Sequence, residues 1–183
     1  MSKFKTLFRL TAATLALAMA ALPALAQGPG LGQKATPDQI AAVDISIPPD
    51  GQNLPPGNGT VAMGKALFGE QCASCHGEAG AGGKGGLVQL TGGIGTLASP
   101  QPVKTINSYW PYATTIFDYI RRAMPVTHPQ SLTNEQVYAV TAYLLSVDGI
   151  VPEGTTLDAK TLPAVQMPNR DGFANWYGKP PTP

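Results

Sequence analysis

Residues 72–76 read CASCH, and they hold the only two cysteines of the chain together with one of its two histidines. Whatever binds two thiols and an imidazole set this close must lie against a single turn of backbone. The rest of the chain has to fold around that object. Three chemistries use such a cluster: a thiol–disulfide switch, half of a zinc site, and covalent attachment of haem.

The surroundings separate them. A redox C-x-x-C pair sits beside strand–helix alternation, and no such alternation flanks Cys72. A zinc site takes four protein ligands. Besides the thiols only His76 and His128 are available, far apart in sequence and outside the usual finger spacings. The uninterrupted C-x-x-C-H is the attachment signal for haem c. Cys72 and Cys75, three residues apart on one helical turn, can form thioethers to the two haem vinyl groups, and His76 then projects its imidazole at the iron. One motif implies one haem.

The N-terminus bears on the compartment. Lys3, Lys5 and Arg9 precede the apolar stretch LTAATLALAMAALPALA, which ends in Ala24-Leu25-Ala26. A charged start, an apolar middle and a small-residue end are the parts of a secretory signal peptide, here residues 1–26. The apolar run approaches the ~20 residues of a membrane span, so a retained anchor is the alternative; Pro23 and the A-x-A end favour cleavage. No later stretch is apolar enough to cross a bilayer, and the mature chain is expected in the periplasm. A formal net charge of +1 provides no field for nucleic acid or an anionic membrane.

With 183 residues there is room for one domain of ordinary size. Residues 27–58, rich in Pro, Gly, Asn and Gln, read as an extended arm with a turn near Thr36-Pro37. The folded domain is expected over 59–149 and is all-α. Its first helix starts after Gly59, with Thr60 as N-cap and Val61, Gly64, Leu67 and Phe68 at helical spacing. The glycine-rich loop 77–100 contains Gly80-Ala81-Gly82-Gly83-Lys84-Gly85, a formal G-x-G-x-x-G. That fingerprint needs a strand before it and a helix after it, and Gly85 after Lys84 rules out a Walker A loop; backbone passing close to a flat cofactor accounts for the glycines.

A second helix is expected from Pro111 through YATTIFDYIRRA, with Ile116, Phe117, Ile120 and Ala123 on one face. It stops at Met124, because a residue before proline avoids the α region. Thr133 and Gln136 form a capping box for a third helix ending at Asp148-Gly149. Residues 150–183 return to Pro-rich coil, but Val165, Met167, Phe173 and Trp176 imply that part of this extension packs on the domain.

His76 leaves one axial position on the iron, and its occupant sets the chemistry. Outside residues 1–26 the candidates are Met63, Met124, Met167 and His128. Met63 lies on the helix leading into the motif, too close in sequence. Met167 is in the tail and reads as a packing residue, and His128 reads as an exposed loop histidine. Met124, held between a helix end and Pro125, is the expected ligand.

The order helix, CxxCH, loop, helix, Met-Pro, capped helix resembles a class I cytochrome c. Gly64 and Phe68 on the first helix and Tyr143 on the last match the residues that pack together in that family. The segment SYWPYATTIFDYIRRAMP, continued by PQSLTNEQVYAVTAYLLSVDGIVPEG, resembles more specifically the haem subunits of periplasmic molybdenum-dependent sulfite and sulfane dehydrogenases. The resemblance covers about residues 59–147. It implies a class I fold around one covalently bound haem c, attached at Cys72 and Cys75 and ligated by His76 and Met124. It also puts Trp110, Tyr112 and Arg121 near haem and partner; Arg121 and Arg122 otherwise read as a solvated face. No Ser–His–Asp set or carboxylate pair suggests catalysis by this chain. The implied role is electron transfer from a molybdenum-containing catalytic subunit to another cytochrome c or an oxidase. Two alternatives keep the same haem core: a freestanding carrier for a different dehydrogenase, or a haem enzyme with a displaceable axial ligand, such as a thiosulfate-oxidising cytochrome.

Overall fold

A computed structural model describes residues 32–83 and 88–174. The stretch 1–26 read as a signal peptide, the Lys84-Gly85 step and Trp176 lie outside the described residues. Five helices, two three-residue strands and two 3-10 turns make up the described fold. Helix α1 (Pro37–Val43) begins where a mere turn was expected. The side chains of Thr36 and Gln39 each accept from the other's backbone N–H, a capping box completed by proline at the first helical position.

Strand β1 (Asn58–Thr60) runs directly into helix α2 (Val61–Gln71), and Thr60 caps it by accepting from the Met63 N–H. The single-turn helix α3 (Ala73–His76) follows. Helix α4 (Ala113–Ala123) starts two residues after Pro111, with Tyr112 as its N-cap, and not within the expected proline-led turn. Helix α5 (Asn134–Val147) carries the Thr133–Gln136 capping box. Strand β2 (Thr156–Asp158) pairs antiparallel with β1, Gly59 opposite Leu157. A sheet this small carries too few residues to show a two-residue period in sequence.

Helix α5 is the centre. Every residue from Val137 to Leu145 is buried, as expected of a helix surrounded by other elements. On one side α2 crosses it at Gly64. A Cβ there would run into the Ala139 carbonyl, and one on Gly59 would strike the Ala139 backbone. Just beyond, the rings of Phe68 and Tyr143 meet at 5.4 Å. On another side α4 packs through Phe117, whose ring lies 4.4 Å from that of Tyr138. Thr141, wholly buried, satisfies its hydroxyl by donating to the Val137 carbonyl.

Part of the stretch expected to be an N-terminal arm is fastened to the helices. Ile47 is a core residue, and its N–H donates to the buried Asp118 carboxylate at 3.0 Å. Thr114 Oγ1 donates to the Pro49 carbonyl and Tyr138 to the Pro55 carbonyl. Proline carbonyls remain good acceptors, so a Pro-rich strand of chain can be fastened without secondary structure of its own. The extension after residue 149 is likewise part of the core: Val151, Leu157, Leu162, Val165 and Met167 are all buried there.

Two measurements check this packing. Gly64→Ala should destabilise the protein by about 1–3 kcal/mol through overpacking, while Gly69→Ala, on the same helix with open space beside it, should stabilise it by about 0.5–1 kcal/mol. Guanidinium unfolding of both variants decides it. Burial, reinforced by the Asp158 carboxylate and opposed by Arg121, pushes the Tyr138 hydroxyl up to about 12. In the unfolded chain it ionises near pH 10. Its contribution to stability is therefore whole below about pH 10 and lost as pH rises toward about 12. Tyr138→Phe should flatten the alkaline loss of stability in that window, leaving the part due to Tyr143, which burial also raises.

Candidate functional site

The CASCH turn is built by the end of α2. The Cys72 N–H closes that helix on the Phe68 carbonyl, and the Cys72 carbonyl accepts from both Cys75 and His76 at 3.1 and 2.9 Å. Both thiols and the imidazole therefore share one turn. Cys72 is half-buried and Cys75 exposed; burial, with the neighbouring Cys75 adding to it, pushes the Cys72 thiol up.

His76 Nδ1 lies 3.0 Å from the Val88 carbonyl. A carbonyl only accepts, so the contact calls for the proton on Nδ1, and in that tautomer of the neutral ring Nε2 has the lone pair a metal-ligating imidazole needs. The loop that supplies Val88 is bent tightly back on the motif. Gly77 has φ +75°, and a Cβ on it would run into the Gly82 carbonyl, while the Gly82 N–H donates to the His76 carbonyl. The 3-10 turn Glu78–Gly80 is then pinned by Leu90 and Thr91, whose N–H groups both donate to the Gly80 carbonyl.

His76 borders a cavity of about 210 Å³ that Met124 also borders, and Trp110, Ile116, Ile120 and Leu144 line it with apolar surface. Met124 reaches it because α4 ends there: its N–H closes the helix on the Ile120 carbonyl, and its own backbone is extended. The other axial candidates go elsewhere. Met167 is a core residue, Met63 is half exposed on α2, and the exposed His128 contacts Thr127 through Nδ1. None of the three lines the cavity.

The residues expected near haem and partner divide. Trp110 lines the cavity, its ring 5.6 Å from that of Tyr119, which lines it too. Tyr112 lies instead under the Arg170 guanidinium at 5.2 Å. Arg121 donates to the Ile45 carbonyl at 3.4 Å and does not reach the cavity. Sequence reasoning missed Val88, whose role is played by a carbonyl and so leaves no side-chain signal. It also missed Tyr119, which stands off the apolar stripe of α4.

One polar network joins three walls. Asp148 Oδ2 accepts from the Gly92 N–H and from Asn107 Nδ2, both at 2.7 Å. Asn107 also donates to the Leu144 carbonyl, and Thr105 donates to the Gly92 carbonyl. The loop after Val88, the segment before Trp110 and the end of α5 are thus tied together. Among the described residues no three His, Cys, Asp or Glu side chains converge on a bare metal site.

The cytochrome c family model matches residues 61–148. A chain of the solved sulfane dehydrogenase SoxCD from Paracoccus pantotrophus is similar at 42% identity, over 85% of this chain and 81% of that one, with a TM-score of 0.73. The chain belongs to the cytochrome c family. No curated protein matches it. The match extends well beyond the 59–147 stretch that carries the sequence resemblance, since that stretch alone cannot supply 85% of the chain.

A class I cytochrome c is an electron carrier whose haem c is covalently attached, and the residues present fit that group. Two thiols on one turn, an imidazole with Nε2 free, a thioether bordering the same cavity and apolar walls are the parts it needs. Bound haem supplies a one-electron iron couple; the chain's own residues orient it and exclude water. Because Asp148 holds the Gly92 loop, Asp148→Ala should loosen the wall that fixes His76. The expected result is a stability loss of about 1.5–3 kcal/mol, for bonds to a charged group, with hydrogen exchange of the 88–93 amides accelerated.

Proposed function

We propose that this chain is the single-haem electron-transfer subunit of a periplasmic, molybdenum-dependent dehydrogenase acting on sulfite or a sulfane-type substrate. It is exported by residues 1–26 and carries its haem on Cys72 and Cys75, with His76 and Met124 as axial ligands. The observation that carries the ligand set is the cavity shared by His76 and Met124, with His76 Nδ1 engaged by the Val88 carbonyl. The partner reading is supported by the 42% identity to a SoxCD chain and by the SYWPYATTIFDYIRRAMP segment. Electrons leave to another cytochrome c or an oxidase.

A neutral thioether favours ferrous over ferric iron, which suits an acceptor of electrons from a sulfur oxidoreductase. The isolated subunit should accept electrons from dithionite and remain oxidised in sulfite or thiosulfate alone. Adding the molybdenum subunit should make reduction substrate-dependent. Substrate-driven reduction without that partner would establish the chain as an enzyme in its own right.

Two further outcomes test the site. Haem should stay with the polypeptide after acid–acetone extraction, and Cys72→Ala or Cys75→Ala should impair maturation. In the oxidised protein Met124→Ala should abolish the near-infrared sulfur-to-iron charge-transfer band, lower the potential and open the iron to imidazole. Met167→Ala should instead leave the band in place and cost about 2–5 kcal/mol of stability as a core truncation.

A further inference from the structure

The segment from Met167 to Phe173 is irregular, yet it is fastened to one short stretch of the pocket. Met167 anchors it, buried in the core at 4% exposure. Asn169 Nδ2 donates to the Tyr109 carbonyl at 2.7 Å, across sixty residues of sequence. The Phe173 ring meets the Tyr109 ring edge-on at 5.2 Å, and Arg170 stacks its guanidinium on Tyr112. The segment is also folded to present that amide. The Arg170 N–H donates to the Met167 carbonyl and the Gly172 N–H to the Asn169 carbonyl. A side chain at position 172 would run into the Asn169 amide.

All three contacts fall on Tyr109 and Tyr112, the residues bracketing Trp110, and none falls on Trp110 itself. Upstream, the Tyr109 N–H is held by the Thr105 carbonyl, in the turn tied to Gly92. Trp110 is thus a side wall of the cavity whose neighbour Tyr109 is held through its N–H by the Thr105 turn and through its carbonyl by the tail. Isolated coil of this composition would leave such a wall free to swing.

We propose that Met167–Phe173 is a strap that positions the Trp110 wall of the pocket, with Asn169 as its fastening. Asn169 is a positioning residue: it acts through the Tyr109 carbonyl and touches no cofactor atom. The inference rests on the reading that this pocket holds the haem. It assigns the C-terminal extension a role in closing the iron off from small ligands and water.

The test compares haem-loaded wild type with Asn169→Asp, which keeps the size but turns an acceptor toward the carbonyl, and with Asn169→Gln, which keeps an amide donor. Hydrogen–deuterium exchange over residues 105–112 should quicken about tenfold in Asn169→Asp, as for one lost hydrogen bond, with exchange in α5 unchanged. Imidazole should bind the ferric iron several-fold more tightly, and Asn169→Gln should recover part of both effects. Unchanged exchange and imidazole affinity would overturn the proposal. So would equal acceleration in α5, which would make Asn169 a contributor to global stability only. If Asn169→Asp does not fold, Phe173→Leu, which only loosens the edge contact on Tyr109, is read by the same criteria. A wild-type protein without covalent haem would instead sink the reading of the pocket, while the exchange measurement still reports on the strap.

Discussion

The close crossing of α2 on α5 at Gly64 governs where everything else lies. With no side chain at that point, the α2 backbone rests against the Ala139 carbonyl, and Phe68 one turn later falls against Tyr143. Those contacts fix both the direction of α2 and the point at which it ends. Cys72 closes that helix and starts the next turn, so the crossing also fixes where the thiols and His76 emerge. Close-packed interiors transmit such constraints, because no void is available to absorb a shift. The small β1–β2 sheet reinforces the same geometry, since Thr60 is at once the last strand residue and the cap of α2.

Much of this frame is legible in sequence because each part has a local signal. Thr133-x-x-Gln136 specifies the start of α5 by reciprocal hydrogen bonds, and Met124 before Pro125 specifies the end of α4. The CASCH turn announces its chemistry through residue types that few other sites combine. What is not legible depends on contacts between distant segments. Nothing in IPPDGQNLPPGNG marks Pro49 and Pro55 as acceptors, because the donors Thr114 and Tyr138 lie more than sixty residues away. Pro-rich composition argues for a linker only while no partner is known for its carbonyls.

The same limit explains Arg121 and Tyr112. Resemblance places both near haem and partner, and Arg121 follows closely on the helix stripe that includes Ile116 and Ile120. Its guanidinium turns toward the Ile45 carbonyl, which exists as a target only because the N-terminal stretch returns across α4. The neighbouring Arg122 pairs with the buried Asp118, which also accepts from Ile47. Two adjacent arginines that read as one solvated face thus anchor a chain segment from either side. An argument from helical spacing alone cannot see this.

An electron carrier works best when its metal donors keep their positions as the charge on the iron changes, since motion of the donors adds to the barrier. The two donors proposed here are supported independently. His76 is oriented by a backbone carbonyl on a loop that Thr91 ties to the Ala79 carbonyl and that Gly92 ties, through Asp148, to the end of α5. Met124 is set by the end of α4, which the Phe117–Tyr138 contact seats on α5 from another side. Both supports therefore refer to the same buried helix, and their separation is fixed by it. The haem-facing surface can then be irregular and glycine-rich without being loose. Each irregular segment that borders the cavity, from Val88 to Leu90 and from Lys104 to Trp110, is bound by at least one hydrogen bond to a distant part of the chain. In these segments rigidity comes from long-range ties, while α4 and α5 supply it on the cavity's helical walls.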